Sequence, residues 1–141
     1  MGVLFSPYIK NKSGELRIKS TTMESKNIDL TILFENGEKL LIENKVKSIP
    51  NKNQLEIYIK ENPNMNYLLL TLTQTNFDLG DWRILTYKEL SSHLREIFDK
   101  INDDYVKYLL NDYTNFVDDL VKLTEHILID FENDKFNFYN H

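Results

Sequence analysis

The sequence predicts an α/β (α+β) domain: a mixed central β-sheet of about four to five strands flanked by helices, then a long C-terminal helical segment. Three observations predict it. Short apolar runs of strand length recur through the first two thirds of the chain, and segments of helical period fall among them. Asn36 and Gly37 sit between two of those runs, a strong hairpin signal. Beyond residue 103, apolar residues recur every three or four positions for more than twenty residues.

Residues 1–14 have no regular period, include Pro7 and Gly14, and read as an irregular arm. Residues 15–24 alternate, with Leu16 and Ile18 on one side, and read as the first strand. Residues 28–34 and 39–46 are two further strands joined at Glu35–Glu38. A two-residue turn would point Asp29 away from Glu43. A three-residue loop, with Gly37 left-handed in a bulge, pairs Phe34 with Glu38, Ile32 with Leu40, Leu30 with Ile42 and Asp29 with Glu43. That register gathers the large apolar side chains on one face and sets Asp29, Glu43 and Lys45 on the other. Burial and chemistry ask for the same register.

Pro50 opens a helix of about twelve residues that ends near Asn62 and Pro63, with Leu55, Tyr58 and Ile59 as its apolar stripe. Gln54 and Tyr58, four apart, share a face. Residues 66–72 are a continuous apolar run and read as a strand buried on both sides. Residues 82–86 are a short strand, and Tyr87 to Phe98 an amphipathic helix. The segment 103–131 is one long helix or two, with Tyr105, Leu109, Tyr113, Phe116, Leu120, Leu123 and Ile127 in a stripe. We read that stripe as a docking face on the domain in preference to a dimer seam, although the same helix could supply a dimer interface. The tail after it is expected to fray.

With 141 residues, 41% apolar and 28% charged, the chain is expected to be one globular domain over 1–141, with its core in 15–90 and the C-terminal helical segment in 101–131. The absence of cysteine excludes disulfides, thiolate metal sites and cysteine nucleophiles. No signal peptide or membrane-spanning run is evident, so a cytoplasmic protein is expected. A net charge of −5 hides a gradient. Residues 1–60 hold ten Lys/Arg against seven Asp/Glu, and residues 61–141 hold seven against fifteen. The basic half suits a polyanionic substrate.

Two converging carboxylates, Asp29 and Glu43, can hold a hard divalent cation through oxygen. Lys45, two residues past Glu43 on the same face, can reach a scissile phosphate or the attacking water. Each residue also has a plainer reading. Asp29 beside Asn27 can cap a strand end, Glu43 and Lys45 can be a solvated strand face, and Tyr58 suits the core as well as a site. Lys47 and Lys52 are weak phosphate contacts that fit an ordinary surface equally well. His93, His126 and His141 have no metal-ligand spacing, Trp82 reads as core, and no glycine-rich phosphate loop exists.

The succession Ile28-Asp29-Leu30, then Leu41-Ile42-Glu43-Asn44-Lys45, then Gln54-Leu55-Glu56-Ile57-Tyr58 resembles the PD-(D/E)xK nuclease superfamily, closest to its prokaryotic and phage branch, over about residues 15–90. The resemblance implies a restriction-endonuclease-like core that hydrolyses DNA phosphodiester bonds. It implies Mg²⁺ (or Mn²⁺) bound by Asp29, Glu43 and the backbone carbonyl of Asn44. Lys45 would stabilise charge on the phosphate or orient the water, and Gln54 and Tyr58 would buttress the site or contact the backbone phosphate. The helix that usually precedes the first strand in that family has no counterpart in residues 1–14. Glu24, or less suitably Glu15, is the candidate for the acid it often carries. DNA is the implied partner, with a homodimer or partner subunit as a further expectation, in phage biology, host defence or repair. The alternative is a non-catalytic relative that binds protein or nucleic acid.

Overall fold

The computed structural model describes residues 2–11, 13–25, 28–46, 50–74 and 78–138, with the backbone alone for 2–3, 24–25 and 127–138. The chain forms two compact units, Met1–Thr86 and Tyr87–His141.

The first unit is built on a five-stranded mixed sheet in sequential order: β1 (Ile18–Ser25), β2 (Ile28–Phe34), β3 (Lys39–Lys45), β4 (Asn66–Thr71) and β5 (Trp82–Thr86). β1, β2 and β3 are antiparallel neighbours, whereas β3, β4 and β5 run parallel. β1 starts at Ile18 instead of residue 15. The Glu15 carboxylate holds the Arg17 guanidinium at 2.9 Å and the Arg17 N–H donates to the Glu15 carbonyl, which turns the chain locally before pairing begins.

The β2–β3 hairpin takes the register that burial requires. Leu30 pairs with Ile42 and Ile32 with Leu40. Phe34 N–H donates to the Glu38 carbonyl, and Gly37 has φ +87°, a conformation a side chain would strain. The Asn36 side chain accepts the Glu38 N–H, closing the loop. β4 is buried along both faces, as its unbroken apolar run predicts, with only Leu70 half-buried.

A helix, α2 (Lys52–Glu61), connects β3 to β4 and covers one face of the sheet. It begins two residues later than Pro50 predicts. Asn51 is its N-cap and accepts N–H bonds from Asn53 and Gln54. Leu55 and Tyr58 pack with Leu41, Tyr67, Leu69 and Trp82. The Trp82 indole N–H donates to the Leu55 carbonyl at 3.1 Å, so Trp82 is a core residue, as the sequence suggests.

The irregular arm expected over residues 1–14 is more ordered than that. α1 (Gly2–Phe5) and a 3₁₀ turn (Ser6–Tyr8) lead to Ile9, and Leu4, Phe5 and Ile9 are buried. The apolar residues of so short a stretch give no readable period, but three of them are buried and the turn at Ser6–Tyr8 contacts β4. Two bonds hold this segment: Arg83 donates to the Pro7 carbonyl, and the Lys10 N–H donates to the buried side-chain oxygen of Asn66. The Asn66 amide in turn donates to the Lys39 carbonyl and to Glu38.

The second unit contains α3 (Tyr87–Phe98) and one long helix, α4 (Asp104–Phe138), which runs past the expected end near residue 131. Asp103 caps it by accepting the Val106 N–H. The two helices pack together, with Ser91 and Arg95 of α3 both donating to the Asp118 carboxylate. Within the apolar stripe Tyr105, Leu109, Tyr113, Phe116 and Leu123 are exposed, and among the described residues of α4 the buried ones are Thr114 and Val117. Small side chains at those two positions allow a close helix approach, which the bulky stripe would hold off. Among the described residues, no helix is long and apolar enough to cross a membrane.

Candidate functional site

β3, β4 and β5 are parallel, and their carboxyl ends, at Lys45, Thr71 and Thr86, form one edge of the sheet. In open sheets of this kind, ligands bind outside the carboxyl ends of the strands. The five side chains singled out as catalytic candidates collect at this edge.

Glu43, Lys45, Gln54 and Tyr58 form one connected polar chain. Glu43 Oε1 pairs with Lys45 Nζ at 2.8 Å. Lys45 Nζ donates to Gln54 Oε1 at 3.1 Å, and Gln54 Nε2 donates to the Tyr58 hydroxyl at 2.7 Å. The hairpin register puts Glu43 and Lys45 on the sheet face that α2 covers. The four-residue spacing on α2 stacks Gln54 and Tyr58 along one side of that helix. Residues from a strand and the following helix thereby become one network.

Asp29 is exposed near the start of β2, and its Oδ2 accepts the Asn44 N–H at 2.7 Å. That bond fixes Asp29 beside β3. The bond satisfies a backbone group of β3, which suits the plainer reading of Asp29 as a capping residue as well as the catalytic one.

The Glu43 and Lys45 side chains are only 5% and 12% exposed. Burial pushes the Glu43 carboxyl above its usual value. The Lys45 hydrogen bond and charge oppose that rise, the nearby Asp29 charge adds to it, and a hydrogen bond from the Asp29 backbone lowers it. Glu43 Oε2 is the sole fully buried side-chain oxygen or nitrogen among the described residues without a hydrogen-bond partner. A buried carboxylate oxygen left unpaired is costly unless something from outside the chain meets it.

That oxygen, the Asp29 carboxylate and the Asn44 carbonyl are the groups that would hold the metal the resemblance implies. Among the described residues no group of three or more His, Cys, Asp or Glu gathers to hold one. The donors are all hard oxygens with two carboxylates among them. They fit Mg²⁺, which keeps several waters and takes one or two carboxylates, and do not suit a metal that needs a full protein cage.

The remaining candidates stand apart from the network. Lys52 is exposed at the start of α2. Lys47 lies outside the described residues. Glu24 lies in β1, where only its backbone is described. Glu15 is engaged with Arg17. Thr71 and Thr86, which no sequence signal singles out, are buried in register with Lys45 along the same sheet edge.

No family model matches the chain, and no curated protein or solved structure matches it either.

Proposed function

We propose that this protein is a divalent-metal-dependent nuclease, a hydrolase of DNA phosphodiester bonds with a PD-(D/E)xK site, acting in phage biology, host defence or repair. The observation that carries the reading is the buried Glu43 carboxylate, with one oxygen on Lys45 and the other unpartnered, at the carboxyl end of a central parallel strand. A Mg²⁺ or Mn²⁺ ion held by Glu43, Asp29 and the Asn44 carbonyl would polarise the phosphate and supply a water of lowered pKa.

The chain's own residues do the rest. Lys45 supplies a positive charge beside the non-bridging phosphate oxygens, where charge builds up during attack. Gln54 receives the Lys45 ammonium and holds it at the sheet edge, and Tyr58 holds Gln54. Asp29, fixed by the Asn44 N–H, contributes the second carboxylate without a flexible linker.

A second reading, a catalytically inactive module that binds protein or nucleic acid, is favoured by one observation: Lys45 already neutralises Glu43 within the chain. Such a pair can be retained for structure alone. The deciding test is cleavage of circular plasmid and single-stranded DNA with Mn²⁺ or Mg²⁺ against EDTA, with Glu43→Gln as the paired control. Metal-dependent cutting that disappears in the variant supports the nuclease. No cutting, together with no heat on Mn²⁺ titration, removes it and leaves the binding module.

A further inference from the structure

The apolar stripe on α4 keeps one spacing over its length. Val106, Leu109, Tyr113, Phe116, Leu120 and Leu123 follow one another at intervals of three, four, three, four and three residues, and Ile127 continues the series in the sequence. This alternation of three and four is the spacing of a coiled-coil seam. Phe116 is 63% exposed, Leu123 59%, Leu109 46%, Val106 45% and Tyr113 42%. No charged residue interrupts the series, and α3 bonds to α4 at Asp118, outside it.

We propose that α4 is a dimerisation helix, and that a second copy of this chain covers the stripe from Val106 to Leu123 in a parallel two-stranded coiled coil. Area supports this occupant. The exposed stripe presents roughly 600 Å² on each chain, before any flanking residue is counted, against about 800 Å² per partner in an interface of standard size. The exposed span is about 27 Å long, several helical turns, so a short peptide would leave much of it uncovered. Symmetry supports it too, because in a parallel pair each layer is filled by the same residue from both chains.

Charge selects the direction. With Val106, Tyr113 and Leu120 at a positions and Leu109, Phe116 and Leu123 at d positions, Asp112 and Asp119 fall at g. Two fully overlapped antiparallel stripes would set Asp112 of each chain against Asp119 of the other. In a parallel pair g residues lie opposite e positions, so neither acid faces an acid of the partner across the seam. This inference is independent of the nuclease reading.

The test is sedimentation equilibrium of the full chain over the micromolar range, for wild type, Phe116→Glu, Leu109→Lys and the off-seam control Tyr108→Glu. Expected is a species of twice the 16.8 kDa chain mass. Phe116→Glu and Leu109→Lys should each weaken dimerisation at least a hundredfold with unchanged helical circular dichroism, and Tyr108→Glu should leave it intact. A wild type that sediments as a single chain, a larger assembly, or folded seam variants that dimerise like wild type would overturn the proposal. Leu123→Cys, the sole thiol in a chain without cysteine, should then oxidise to a covalent dimer. A dimer that fails to cross-link there overturns the parallel arrangement.

Discussion

The two units of this protein break opposite rules of burial. In Met1–Thr86 an ion pair is taken inside: Glu43 and Lys45 lie within the sheet edge, tied to Gln54 and Tyr58. In Tyr87–His141 the ion pairs stay at the surface, as with Lys88 and Glu125, while a row of Tyr, Phe and Leu side chains faces solvent. Charged side chains are seldom buried, and contiguous apolar rows are seldom left outside. A fold departs from these patterns where something other than stability is served. The difference teaches that the two units carry different kinds of candidate surface: a buried, bonded charge pair at the sheet edge in one, and an exposed apolar row on a helix in the other.

The largest expected effect tests whether the sheet pair is as buried as it looks. Lys45→Ala leaves Glu43 without its counter-charge and should cost about 3–5 kcal/mol in urea unfolding. Glu43→Gln combined with Lys45→Met should recover most of that loss; a single-variant cost near zero would show that the pair is solvated after all. Next is activity. Glu43→Gln keeps the shape of the side chain and should lower metal-dependent cleavage about 100- to 1000-fold, read from initial rates on plasmid DNA, with folding retained. Smaller still is the contrast between neighbours on α4. Val117→Ala should destabilise by roughly 2 kcal/mol, while Phe116→Ala in dilute monomer should stay within about 0.5 kcal/mol. Equal effects at the two positions would contradict the exposed stripe.

The smallest expected effect is in pH dependence, and the two units should respond with opposite signs. Hydrogen bonds from Ser91 and then Arg95 hold the Asp118 carboxyl below its usual value. Its stabilising contribution is therefore present above the unfolded carboxylate pKa and is lost as pH falls through the folded value. Glu43 is raised, chiefly by burial, so in chelator-treated protein it subtracts stability as pH rises from about 4.3, the ordinary glutamate value, toward its folded value. Urea midpoints measured against pH should show Asp118→Asn removing the acid-side loss and Glu43→Gln removing the decline on the way up. The same slope in both variants would mean that neither group titrates as its surroundings require.

Most of the sheet was legible in the sequence because its signals are local. Asn36 and Gly37 mark the loop, and the requirement that apolar residues share a face selects one register. The continuous run at 66–72 marks a strand covered on both sides. The candidate site was legible for the same reason: register and helical spacing alone put Glu43 and Lys45 on one face and Gln54 with Tyr58 on another. The bonds that join these pairs were not legible, since Lys45 to Gln54 depends on where α2 settles over the strand. Residues 2–9 were missed because three buried apolar side chains in eight residues have no period. For α4, apolar spacing reveals that a face exists and not what covers it. Thr114 and Val117, the buried positions among its described residues, are small and look ordinary in a sequence.

One consequence of the Glu43–Lys45 contact concerns the order of events as the chain acquires its structure. The acid and its counter-ion are two residues apart on the same strand, so they emerge from the ribosome almost together and need no distant segment to meet. Glu43 can be paired before α2 settles over that face of the sheet, and no stage of assembly has to shelter a lone negative charge in a forming interior.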